Sequence, residues 1–178
     1  MPLRRFATAA CAAAVLATGA GVSGCVLGFT PLYATPGVVP ALEAIDVVVP
    51  EPPDQIHERA GYLLREQLND ELGRNLETGA RYRLTLTDQE VRIPRGLRVN
   101  NIANTYELRL LVGYTLTDIA TGRELLKGSA PVSVSYDAPD PPYASVAAQQ
   151  DGEVRAANQV AVRIRLDLSR YFHRQAAG

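Results

Sequence analysis

Tyr106, Leu108, Leu110, Val112, Tyr114 and Leu116 hold every second position of one stretch, and Leu126, Ala130, Val132, Val134 and Tyr136 resume the alternation beyond Thr121-Gly122. A period of two sets all these side chains on one face of a strand. The Thr-Gly turn joins the two runs into a hairpin. Pairing Leu116 with Leu126 carries Leu110 opposite Val132 and Tyr106 opposite Tyr136, so the whole apolar set shares one face. The other face carries Glu107, Arg109, Thr115, Lys127, Ser133 and Ser135, a surface compatible with water. A sheet with one apolar face needs a second layer, and the rest of the chain has to supply it.

Upstream, Tyr82, Leu84 and Leu86 alternate with polar residues; the apolar phase then slips to Val91 and Ile93, which predicts a bulge or strand end near Asp88 to Glu90, and Pro94-Arg95-Gly96 interrupts the pattern. A β-branched run over 41–49, closed by Pro50, Pro52 and Pro53, reads as a first strand. Asp54 offers an N-cap for a helix in which Ile56, Ala60, Leu63, Leu64, Leu68, Leu72 and Leu76 recur at three- and four-residue steps, ended by Gly79. Residues 137–143 read as a loop. From about Ala144 to Phe172 the stripe Val154, Ala157, Ala161, Ile164, Leu168 and Tyr171 marks a second long helix, with Gly152 a place where a short first helix could split off. The order β-α-β-β-β-α predicts an α+β fold: a two-layer sandwich, a four-stranded mixed sheet with two main helices packed on one face.

The N-terminus has another logic. Arg4 and Arg5 precede a short Ala-rich apolar run over 6–21 and then Val22-Ser23-Gly24-Cys25. A positive patch, a short apolar region and small residues make an export signal, and the run is too poor in Leu and Ile for a spanning helix. Val22 to Cys25 resembles the lipobox of bacterial lipoproteins, which implies cleavage between Gly24 and Cys25, lipidation of Cys25 and a membrane anchor of several acyl chains. Val26 is not acidic, so the resemblance implies the outer membrane. The expected organisation is a signal peptide over 1–24, a lipidated leader over 25–41, one domain over 42–174 and a frayed tail over 175–178. Without its first 24 residues the chain has 154 and a formal charge of −3, since Arg4 and Arg5 leave with the signal. Cys11 leaves too and Cys25 becomes a thioether, so neither disulfide nor cysteine chemistry holds the fold together. A hydrophobic core has to, and a chain of this size suffices for one.

Nothing in the sequence asks for an enzyme, a cofactor or a metal. His57 lies in the first turn of a helix and His173 near the end of the chain, in no ligand spacing, and no nucleophile elbow, phosphate loop or dinucleotide turn occurs. Five arginines between Arg81 and Arg98 stand against Asp88 and Glu90, and five between Arg155 and Arg174 against Asp167. Such clusters attract phosphates, and ordinary surface ion pairing is their plainer reading. An export signal argues against nucleic acid.

The lipobox followed by Gly28-Phe29-Thr30-Pro31-Leu32-Tyr33, the helix around Tyr62 to Leu68, the strand Tyr106 to Asp118, the Thr121-Gly122 turn and the C-terminal Ala/Arg helix are together similar to the LptE family of lipopolysaccharide-assembly lipoproteins, in its alphaproteobacterial form. The resemblance covers nearly the whole mature chain. It implies a non-enzymatic plug in the outer-membrane β-barrel LptD, anchored through Cys25 and facing the periplasm or the barrel lumen, that contacts lipopolysaccharide through basic residues. Arg98 and Lys127 are the candidates for those contacts. Arg98 stands about one residue from the family's first basic position, whereas Ala130 occupies the second and Lys127 lies three residues away, which puts it on the other sheet face. Another envelope-biogenesis lipoprotein, such as a barrel-assembly subunit or an ABC-transporter accessory lipoprotein, is the alternative reading, and an exported envelope enzyme is a third.

Overall fold

The hairpin organises the structure as its alternation predicts. In the computed structural model, which describes residues 37–50, 55–74, 79–97, 103–138 and 142–177, strand β3 (Ala103–Asp118) pairs antiparallel with β4 (Glu124–Asp137). Its register sets Leu116 opposite Leu126, Leu110 opposite Val132 and Tyr106 opposite Tyr136. The Tyr106 and Tyr136 rings stack with centroids 5.7 Å apart. At the turn Gly122 takes φ 66°, and the Asp118 carboxylate accepts hydrogen bonds from the Thr121 amide and hydroxyl. Those bonds hold its pKa below the usual carboxylate value.

The described elements run α1 (Val38–Glu43), β1 (Ile45–Val48), α2 (Gln55–Leu72), β2 (Tyr82–Leu97), β3, β4 and α3 (Pro142–Ala177), in the sheet order β1-β2-β3-β4. β1 is parallel to β2 and the other pairs are antiparallel, so the sheet is mixed and the fold α+β, as expected. Between the sheet and α2 and α3 lies a core that includes Ile45, Val47, Leu64, Leu68, Leu84, Leu86, Leu108, Leu116, Ile164 and Leu168, each fully buried. Each such side chain contributes about 1.5–3 kcal/mol of transfer free energy, and this core is what fixes the sheet's other face as the open one.

Several boundaries differ from the sequence reading. The first strand begins at Ile45, because 38–43 of the presumed leader and strand fold instead as α1, which buries Val38 and Leu42. Helix α2 stops at Leu72 and not at Gly79. Gly73, at φ 64°, donates to the Asp70 carbonyl and Arg74 to the Asn69 carbonyl, a Schellman stop that an apolar count cannot anticipate. Gly152 does not split α3. It is buried there with the Tyr136 ring 3.1 Å from where a Cβ would sit, so it serves close packing and not a break. α3 also takes in Pro142 and Tyr143 at its start, where a proline suits the first helical turn, and runs to Ala177 through most of the presumed tail.

The expected bulge at Asp88 to Glu90 is absent: β2 pairs with β3 in unbroken register from Tyr82 to Pro94, and the shifts fall between Pro94 and Leu97. The apolar phase slips because the residues change character on an unbroken strand. Asp88, Glu90 and Arg92 keep the parity of buried Leu84 and Leu86, and Val91 turns to the open face, 46% exposed.

Candidate functional site

The face of the sheet turned away from α2 and α3 is polar over much of β2, β3 and β4. Three cross-strand rows describe its middle: Thr85, Thr115 and Lys127; Thr87, Gly113 and Ser129; Gln89, Leu111 and Pro131. Val91, Arg109 and Ser133 form the next row. The large exposed hydrophobic side chains in these rows are Val91 and Leu111, whose positions are diagonal neighbours on β2 and β3, and Pro131 is exposed beside Leu111. Apart from Gly113, the other residues of these rows carry hydroxyl, amide or charged groups.

At one end of this face Glu107 gathers its neighbours. It accepts from Arg109 Nε at 2.7 Å, Arg95 Nε at 2.6 Å and Ser133 Oγ at 3.2 Å. The Arg109 bond first, then that of Arg95, pulls its carboxyl down to about 2 against an opposing desolvation, and Ser133 adds a smaller contribution in the same direction as the arginines. At the other end Lys127 is exposed beside a shallow cavity of about 370 Å³ lined by Thr85, Thr87, Gly113, Tyr114, Thr115 and Gly128. Ala130, three residues on, is fully buried on the opposite side of β4, as its parity requires.

Lys127 is thus the one sequence-predicted site residue that the structure brings to the open face. Arg98, Gly24 and Cys25 lie outside the described residues. His57 falls in the first turn of α2 and His173 near the end of α3. Among the described residues no group of His, Cys, Asp or Glu converges as a metal site, and no helix is long and apolar enough to cross a membrane.

Most of the clustered arginines have acidic partners, several of them outside the clusters themselves. Arg83 faces Asp46, Arg165 pairs with Glu71 at 2.9 Å, and Arg170 with Asp167 at 3.0 Å. On the helix side of β2, Glu153 of α3, only 7% exposed, takes Arg59 of α2 at 2.9 Å, Arg92 of β2 at 3.5 Å and Gln149 at 2.8 Å, while Arg92 also reaches Glu90 at 2.8 Å. That pin joins three elements. Its one visible signal in the sequence was the run of charges at inward parity on β2.

A protein-family model described as LptE, Lipopolysaccharide-assembly, matches residues 42–168. Among solved structures, a lipoprotein from Caulobacter crescentus is 46% identical, with a TM-score of 0.65 over 76% of this chain and 95% of that one. Lipoprotein B from Nitrosomonas europaea, 12% identical over 72% of this chain and 83% of that one, has a TM-score of 0.51 and shares the fold. A search of curated proteins gave no match.

Proposed function

The chain belongs to the LptE family of lipopolysaccharide-assembly proteins, and from that premise we propose that it is an outer-membrane lipoprotein that acts as the plug of an LptD-type β-barrel and as a lipopolysaccharide-contacting component of that assembly. The observation that carries this reading is the open sheet face. Helices cover one side of the sheet and leave the other polar over three strands, with a basic contribution from Arg109 and Lys127. A surface that fills a barrel lumen has to hydrogen-bond to a polar wall, since the interior of a large barrel is polar, and a face of hydroxyls and guanidiniums does so. Lipidation of Cys25 would tether the domain to the membrane in which such a partner is embedded. Lys127 and Arg98 are the proposed basic contacts to lipopolysaccharide. The role is one of recognition and assembly, not catalysis.

Purification of the lipidated protein from outer membrane tests this. Co-purification of a large β-barrel supports it, and a clean preparation in which Cys25 is acylated but no barrel accompanies it counts against it.

A further inference from the structure

A glycine inside a strand costs roughly 0.5–1 kcal/mol relative to alanine, so it calls for a local reason. On the described sheet two residues show the contrast. Gly128 of β4 has its reason in the fold: a Cβ there would collide with the Tyr114 phenol. Gly113, in the middle of β3, has none. Its φ is not positive, and an added Cβ would meet only the Thr87 carbonyl oxygen at 3.8 Å, an ordinary contact. What the missing side chain leaves is the floor of the cavity of about 370 Å³ on the open face.

The walls of that cavity have a consistent chemistry. Thr85 and Thr87 of β2, Thr115 of β3 and Lys127 of β4 line it, and no carboxylate does. Among the described residues, none of these four side chains makes a hydrogen bond or ion pair. Three hydroxyls and one ammonium therefore face one shallow space with their donors unspent and a net charge of +1. Unspent donors without a compensating acid suit an oxyanion. The volume lies within the range of small-molecule sites and exceeds what a bare phosphate fills, so it has room for the ring that carries the anion.

We propose that this cavity is a binding site for a phosphorylated saccharide, with the phosphoryl oxygens on Lys127 and the threonine hydroxyls and the sugar ring lying over Gly113. It rests on the lipopolysaccharide-handling reading above and assigns which chemical portion of such a ligand the open face takes: the phosphosugar and not the acyl chains.

The experiment uses the full lipidated chain in detergent micelles, titrated with glucose 1-phosphate, glucose and inorganic phosphate while backbone amide resonances are followed. Glucose 1-phosphate is expected to shift Thr85, Thr87, Gly113 and Thr115, with glucose or phosphate alone weaker by about tenfold or more. Lys127→Ala should weaken binding by about tenfold. Gly113→Val should abolish it and yet raise the thermal midpoint, because a β-branched residue suits a strand better than glycine. A structural role for Gly113 cannot give that combination. No shift in the wild type, unchanged binding by Gly113→Val, or equal shifts from phosphate alone overturns the proposal. A parallel titration with whole lipopolysaccharide separates the two readings. If wild type and Gly113→Val take it up alike, the cavity proposal falls and the assembly role stands. If glucose 1-phosphate binds here as expected and no barrel co-purifies, the assembly role falls and the cavity stands.

Discussion

Tyr114 Oη donates a 2.9 Å hydrogen bond to Asp167 Oδ2, tying the middle of β3 to α3. The ring reaches that far because Gly128, on the neighbouring strand, has no side chain to block it. Burial first, and then the Asp167 carboxylate, pushes the phenol's pKa well above its ordinary value, so the hydroxyl stays a donor at any working pH. Tyr114→Phe should cost about 1 kcal/mol, softened because Asp167 keeps Arg170. Gly128→Ala should cost more, about 1–3 kcal/mol, by overpacking. The double variant should be less unstable than the sum of the two, since removing Oη relieves part of the clash. Urea denaturation midpoints with a shared slope check this cycle.

Glu107 predicts how stability depends on acid. Its carboxyl titrates near 4.5 in the unfolded chain and is held down to about 2 in the fold, by Arg109 first and then Arg95. The folded state therefore binds its proton less readily than the unfolded one. The stabilisation is complete above about pH 4.5 and is lost as the pH falls through the folded value. Glu107→Gln should flatten the stability profile between those limits and leave the shape of the profile near neutrality alone. Thermal midpoints measured from pH 2 to 7 for both proteins are the check; an unchanged acid slope would mean that the Arg95 and Arg109 contacts are not maintained in solution.

Glu153 is the acid whose surroundings matter most to packing. It is buried, and its charge is compensated by Arg59 and Arg92 from two other elements. Arg59→Ala or Arg92→Ala alone should cost about 1 kcal/mol, because both guanidiniums are partly in water. Losing both leaves a buried carboxylate with Gln149 alone, and about 3 kcal/mol or more is expected. Glu153→Gln in the double background should recover part of the loss by removing the stranded charge. Chemical denaturation of the four proteins measures this.

The outcome at Glu153 bears on what could be read beforehand. Alternation alone gave the β3–β4 register to the residue, because one slipped position would have turned Leu110 and Val132 to water together. Three- and four-residue steps made most of the helical stripes legible, with Ala60, Leu64, Leu68, Ala157, Ala161, Ile164 and Leu168 buried, whereas Val154 is 39% exposed and Leu76 lies outside the described residues. The path of β2 past Leu86 was not. Glu90 and Arg92 at inward parity look like a broken pattern until Glu153, 61 residues from Arg92 in the chain, is seen to pair with Arg92 and in turn with Arg59 of α2. Long-range pairing of charges leaves no local period. At the site, parity puts Lys127 and Thr115 on the open face, while Thr85, Thr87 and Gly113 carry no motif that would single them out.

The proposed anchor gives a prediction that separates location from folding. Cys25 precedes the first described residue, Gly37, by a dozen positions, and lipidation would act on the protein's location through that residue. Cys25→Ala should leave the thermal midpoint within about 1 °C if the residue serves as an anchor and not in folding. It should also shift the protein from the membrane pellet to the soluble fraction. Fractionation and calorimetry of the same preparations decide this, and a drop in the midpoint would give the N-terminal stretch a role in folding.

Gly73 and Gly79 are the last pair to test, because sequence and structure assign the helix stop to different ones. Gly73 sits at φ 64° and its amide closes α2 on the Asp70 carbonyl. A residue with a Cβ pays about 1–2 kcal/mol for the left-handed conformation, so Gly73→Ala should lower stability by about that much. Gly73→Asn should lose less, since asparagine tolerates the region. Gly79 has ordinary φ and nothing within 4 Å of a built Cβ. Gly79→Ala should therefore be neutral or stabilise by up to about 1 kcal/mol, through the smaller entropy of the unfolded chain. Opposite signs for two glycine-to-alanine changes six residues apart locate the end of α2. Equal losses at both positions would place the stop nearer Gly79, where the apolar periodicity had put it.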